Sequence, residues 1–122
     1  MERSRQRRER RARVTARKRF KEARRRMSPA TSRAFYAAVA QALTDYVGDK
    51  FNTSAAGLTH QRIEELLAER GASEAQRAAY HRTLEACDYA RFAPASSTES
   101  QMQRTLENAE KVLIGLERSL ST

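Results

Sequence analysis

RSRQRRERRARVTARKRFKEARRRM, Arg3–Met27, is the stretch on which the reading of the fold turns. Twelve of its 25 residues are arginine, and no glycine or proline interrupts it. Ala12, Ala16, Phe20, Ala23 and Met27 recur at steps of four, four, three and four. That spacing is a thin apolar stripe along one side of a helix. The other sides are basic. Like charges one turn apart oppose such a helix in water, and neutralising them favours it. The expectation is a basic helical arm at 1–27 ahead of a separate domain at 28–122.

The charge distribution supports that division. Residues 1–27 hold 14 basic and 3 acidic side chains, net +11, and residues 28–122 hold 10 and 12, net −2. A segment so strongly cationic is solvated or meets phosphate, whether in nucleic acid or on an anionic lipid surface. The 122 residues make one domain the default.

The body reads as four helices joined by short loops. Ser28-Pro29 is a helix start, since serine can cap and proline is shaped for the first helical position. Phe35, Val39, Ala42, Leu43 and Tyr46 share a face, which predicts a helix over 29–51. Asn52–Gly57 reads as loop. Thr59 caps a helix carrying Ile63, Leu66 and Leu67 that stops at Gly71. Ser73 with Gln76 makes a capping box ahead of Tyr80, Leu84 and Cys87. Pro94 ends that helix, because the residue before a proline is pushed out of helical geometry. Thr98 with Gln101 is a second capping box. Met102, Leu106, Ala109, Leu113, Leu116 and Leu120 then form a seam of heptad type, read as one face of a bundle helix. No strand-like alternation occurs. The fold class expected is all-α, a small four-helix domain preceded by the basic helical arm.

Several functions are argued against by what is missing. The longest nearly apolar run, AFYAAVA at 34–40, is far short of the ~20 residues that a membrane span needs. No apolar region follows the basic start, so no secretory signal is read and a soluble chain is expected. One cysteine excludes an internal disulfide and fits a reducing compartment. His60 and His81 are 21 positions apart and Cys87 is six from His81, without the close pairing of metal ligands. Cys87 falls on an apolar helix face and is read as a small buried hydrophobe. Glu64, Glu65 and Glu69 read as a solvated face. No catalytic residues, cofactor, metal or small-molecule substrate are therefore expected.

Two binding readings remain. In one, the helix pair at 58–87 is a helix-turn-helix and the arm grips DNA. Its recognition helix would open Ser73-Glu74-Ala75-Gln76, a poor set for bases, with Arg77 and Arg82 further along. In the other, the arm flanks a membrane span upstream of residue 1. Lys and Arg just cytoplasmic of a span obey the positive-inside rule, and each is worth roughly 1 kcal/mol near an anionic surface. The residues assigned to anionic lipid are Arg7, Arg8, Arg10, Arg11, Arg13, Arg17, Lys18, Arg19, Lys21, Arg24, Arg25 and Arg26. The apolar stripe would let the helix lie in the interface.

The segments ARKRFKEA, FYAAVAQALTDYVGDKF, GLTHQRIEELLAERG and TLEACDYARFAP occur in this order. Together they resemble the C-terminal cytoplasmic region of the BatD family of bacterial oxygen-tolerance (aerotolerance) proteins, over roughly 16–94. The resemblance rests on Phe35-Tyr36, Asp49-Lys50, Leu58-Thr59 and Arg91-Phe92-Ala93-Pro94. It implies a helical tail on the cytoplasmic side of the bacterial inner membrane. It also implies work beside MoxR-type AAA+ ATPases and von Willebrand factor A-type membrane proteins in stress tolerance or complex assembly. The family's periplasmic modules and span are not in this sequence. Read beside the resemblance, Phe35 and Tyr46 should be buried, and Asp88 should pair with Arg91. Phe92 should fold back into the core. Tyr36, Lys50, Arg91 and Phe92 are the residues expected to dock a protein partner.

Overall fold

The computed structural model describes residues 2–93 and 95–120, with side chains from Arg7 onward. Five α-helices and no strand occur among the described residues: α1 (Glu2–Arg24), α2 (Ser32–Lys50), α3 (His60–Glu69), α4 (Glu74–Phe92) and α5 (Glu99–Ser119). The all-α class expected from the sequence is the one found.

The first helix is more than an appendage to the four that follow. Ala12, Ala16, Phe20 and Ala23 are only 0–4% exposed and belong to the same apolar cluster as the cores of α2, α4 and α5. α1 packs most extensively against α2 and also touches α5. Three alanines on the stripe let the helix backbones approach closely, and Phe20 fills the remaining space. The stripe expected to lie in a lipid interface is therefore buried against protein, and this corrects that expectation. Residue 27 marks a boundary in charge, while the core runs through both sides of it.

The turn from α1 into α2 differs from the expected cap. Pro29–Thr31 forms one 3-10 turn, and α2 starts at Ser32. The Ser28 side chain makes no cap bond; its Oγ lies 2.9 Å from Thr31 Oγ1. Thr31 Oγ1 also bonds the Arg26 carbonyl at 2.6 Å, which closes the reversal. α2 ends on Asn52 in the left-handed region, φ 54, with Thr53 N–H donating to the Gly48 carbonyl at 2.9 Å. This is the six-to-one bond of a Schellman ending. The returning loop passes so close that a Cβ on Gly48 would meet the Thr53 oxygen at 2.9 Å. Only glycine fits there. The supposed loop also holds a 3-10 turn at Ala55–Gly57.

The remaining ends follow the sequence signals. Thr59 Oγ1 accepts from Arg62 N at 3.0 Å. Gly71, φ 102, ends α3 while Ala72 N–H donates back to Leu67 O at 3.0 Å. Both capping boxes form, Ser73 with Gln76 and Thr98 with Gln101. α4 stops at Phe92; Pro94, expected to stop it, lies outside the described residues. All six seam residues are buried, five on α5 and Leu120 at its C-cap. So are Phe35 and Tyr46, and Tyr80, whose hydroxyl donates to the Leu43 carbonyl at 2.9 Å.

Substitutions along α1 test its place in the core. Phe20→Ala should cost about 3–5 kcal/mol, as for other buried aromatics. Val14→Ala, on the exposed side of the same helix, should stay within about 0.5 kcal/mol. Urea titration of both variants measures this, and equal small effects would mean that α1 is not held by its stripe.

Candidate functional site

α1 has two sides with different chemistry. At about 100° per residue, Arg7, Arg10, Arg11, Lys18 and Lys21 fall opposite the buried stripe, with Arg17 on its flank and Arg25 in the turn just past the end of α1. All seven are exposed, with Val14 among them. From Arg7 to Lys21 the row runs about 21 Å at ~1.5 Å per residue. Among the described residues none of these seven has an ion-pair partner.

The cations nearer the stripe are engaged internally. Arg19 pairs with Asp45 on α2. Arg24 Nη2 reaches Glu110 Oε1 on α5 at 2.9 Å. Arg13 Nε lies 3.9 Å from Glu117 Oε1. Of the twelve cations assigned to lipid, these three are thus committed to holding α1 on the body.

Glu117 is the centre of a polar cluster that the sequence reading missed. Its Oε2 accepts from the Tyr46 hydroxyl and from Lys50 Nζ, the latter at 2.9 Å. Nearby, Arg70 Nη2 approaches the buried Glu9 carboxylate at 3.5 Å, and its guanidinium stacks 5.1 Å above the Phe51 ring. Burial, then the hydrogen bond and charge of Glu117, push the Tyr46 hydroxyl pKa far above its ordinary value. Tyr46 and Lys50 are four apart and share a helix face, so their pairing was readable. That Glu117 faces them depends on tertiary packing.

The expected docking residues separate. Tyr36 is 3% exposed, its ring edge-on to Phe35 at 5.2 Å, and Lys50 is 5% exposed against Glu117. Neither offers a docking surface, because each is consumed by the core. Phe92 instead is 75% exposed, with the Arg91 guanidinium 4.9 Å over its ring. It does not fold back as expected, since the helix places it on the solvent side. Arg91 also lies 3.9 Å from Asp88, the expected pair. Tyr89, one turn before Phe92, is 80% exposed and was not singled out in sequence.

The helix-turn-helix pair is tied up internally. Gln76 Nε2 donates to the Gly115 carbonyl at 3.1 Å and to Ser119 Oγ. Arg77 donates to Glu64 and to the Ala72 carbonyl at 2.6 Å. His81 Nε2 lies 2.9 Å from the second Glu64 oxygen. Glu64 is thus a bridge between α3 and α4 rather than part of a wholly solvated face. Its partial burial pushes its carboxyl up, but the hydrogen bonds from Arg77 and His81, with their charges, bring it below the usual range.

The rings of His60 and His81 come within 5.8 Å, although far apart in sequence. Among the described residues no three His, Cys, Asp or Glu side chains converge as a metal site. No helix among them is long and apolar enough to cross a membrane. Cys87 is buried, and desolvation, with the Asp88 charge, pushes its thiol up to about 12. Between α4 and α5 a groove of about 590 Å³ opens to the surface.

No protein family, curated protein or solved structure matches the chain. The BatD resemblance therefore rests on the quoted segments alone.

Two outcomes follow from this geometry. Glu117→Ala should destabilise by about 3–5 kcal/mol, because it leaves Lys50 buried without its carboxylate. The double variant Lys50→Met/Glu117→Leu should recover much of that in denaturant titration. Stability should also fall as pH rises past about 10, where unfolded tyrosines lose protons that Tyr46 and Tyr80 keep in the fold. Tyr46→Phe and Tyr80→Phe should each flatten that alkaline decline.

Proposed function

We propose that this chain is a non-enzymatic helical interaction module held at an anionic membrane surface by the outward face of α1. One observation carries the reading. α1 fixes itself to the body by its apolar side, while Arg7, Arg10, Arg11, Arg17, Lys18, Lys21 and Arg25 face outward. Attachment on this reading is electrostatic and peripheral, since the apolar side is not available for insertion. A row of cations held in place suits a plane of phosphates, and each near such a surface contributes roughly 1 kcal/mol before screening.

A nucleic-acid role would use the same row against a phosphate backbone. Internal bonds from Gln76 and Arg77 weigh against base reading by α4. The module's orientation on this proposal is cytoplasmic, beside the bacterial inner membrane. Its partners are of the kind that the BatD resemblance implies, a MoxR-type ATPase or a von Willebrand factor A-type membrane protein.

Vesicle co-sedimentation tests the attachment. Binding to vesicles with about a third anionic lipid should be strong at low salt and fall steeply as salt rises. It should be absent with neutral lipid. Replacing Arg7, Arg11, Lys18 and Arg25 by glutamine should weaken it at least tenfold without lowering the unfolding midpoint. Vesicle binding unchanged by those replacements, or sequence-selective DNA retention at physiological salt, would overturn the proposal.

A further inference from the structure

α5 has a second working side. It meets α1 through Glu110, Leu113, Ile114 and Glu117. On its other side Lys111, Val112 and Gly115 form one wall of the groove shared with α4. The α4 wall is Ala75, Ala79, Arg82 and Ala86. These recur at steps of four, three and four, and the next step of three reaches Tyr89, which is exposed. The wall from Ala75 to Tyr89 therefore runs about 21 Å at ~1.5 Å per residue, the length of a helix of some four turns. Small side chains along its floor let another helix backbone come close, at the ~8–10 Å axis spacing of packed helices.

Charge identifies the occupant. Among the described residues the lining includes Arg82 on α4 and Lys111 on α5 and no carboxylate, although the exposed Glu85 and Glu107 each lie one turn from one of them. Arg104 and Arg118 lie seven residues to either side of Lys111 on the same edge of α5, both exposed, and outnumber the one carboxylate of that edge, Glu107. Among the described residues none of these four cations has an ion-pair partner. A second copy of this chain seated symmetrically on the groove would bring the same four cations against themselves. We infer that the α4–α5 groove docks an acidic amphipathic helix of a protein partner, with Ala79, Ala86 and Gly115 as its floor, Arg82 and Lys111 as its lips, and Tyr89 as the aromatic anchor at one end. Exposed aromatic and arginine side chains are the residue types that dominate interface energies, and a helix laid in an apolar groove is a recurrent mode of recognition. The inference rests on the reading of the chain as an interaction module but not on its attachment through α1.

The chain has no tryptophan, so Tyr89→Trp gives a single reporter at the end of the groove. The probe is a 16-residue helical peptide with leucine and alanine on one face and glutamate elsewhere, compared with its lysine counterpart, without lipid. Reporter emission should shift saturably with the glutamate peptide, and the lysine peptide should bind at least tenfold more weakly. Gly115→Leu in the reporter background fills the floor and should weaken binding at least tenfold. A Cβ there meets only Gln76 Nε2, at 3.7 Å, and the unfolding midpoint of the variant reports whether the rest of the side chain is accommodated. Arg82→Glu with Lys111→Glu should weaken binding as much, and vesicle binding through α1 should survive both changes. No saturable shift up to millimolar peptide would overturn the inference. So would a shift untouched by Gly115→Leu and abolished by the α1 glutamine replacements, and that result would leave the α1 reading standing. A dimer in sedimentation that Gly115→Leu dissociates would overturn it in favour of a second copy.

Discussion

Everything else in this fold depends on how a helix of such high positive charge is kept on the body. The answer is a narrow apolar contact. Ala12, Ala16 and Ala23 bring α1 close to its neighbours, and Phe20 supplies the large side chain. Burying a phenylalanine contributes about 1.5–3 kcal/mol, while the alanines act mainly by allowing close approach. That gain has to exceed the repulsion among the arginines. It does so partly because the neighbouring surfaces are not neutral: Asp45, Glu110 and Glu117 are placed along α2 and α5 where α1 lies.

Those carboxylates sort the cations of α1 into two groups. Arg13, Arg19 and Arg24, at the flanks of the stripe, meet carboxylates of the body. Exposed ion pairs of this kind are each worth about 0–1 kcal/mol, so they set register more than they supply stability. Glu117 differs because it also takes the Lys50 ammonium and the Tyr46 hydroxyl in a mostly buried place. Loss of one member of such a group leaves the others desolvated and unsatisfied, and that asymmetry ties α1, α2 and α5 into one unit.

Local signals in the sequence were read well because their causes are local. Thr59, Ser73 with Gln76, and Thr98 with Gln101 cap helices through bonds within four residues. Gly71 takes the backbone conformation that glycine alone tolerates easily. The α5 seam was legible because an amphipathic helix carries its own record of which side is buried. What failed was long-range. Nothing near Tyr36 or Lys50 shows that both are buried, since α2 is packed by α1, α4 and α5 and Lys50 meets Glu117, 67 residues further along. Asn52 could be seen as a loop residue but not as the left-handed end of α2, which Gly48 and the returning loop define together. Phe92 read as core by its apolarity alone, yet the phase of α4 turns it outward. The stripe of α1 shows the same limit, because periodicity says only that one side is apolar and not whether lipid or protein covers it.

That distinction decides what kind of contact α1 can make. A disordered basic arm would have to lose backbone freedom on meeting phosphate, about 1–2 kcal/mol for each residue ordered. A basic helix free of the body would also be able to turn its apolar side into lipid. Here the packing of Ala12, Ala16, Phe20 and Ala23 has already fixed both the helix and its rotation. The outward cations are held ready before any partner arrives, which is the physical content of preorganisation. The same packing sets a limit: on the proposed reading, contact through this face would use charge but not insertion, and would be reversible and screened by salt. α5 carries the consequence to the other side of the bundle. Because its Glu110–Glu117 side is committed to α1, its Lys111–Gly115 side is left to form the groove with α4. The two surfaces are therefore separated by a single helix and are chemically distinct, one a row of charge and the other an apolar floor between basic lips.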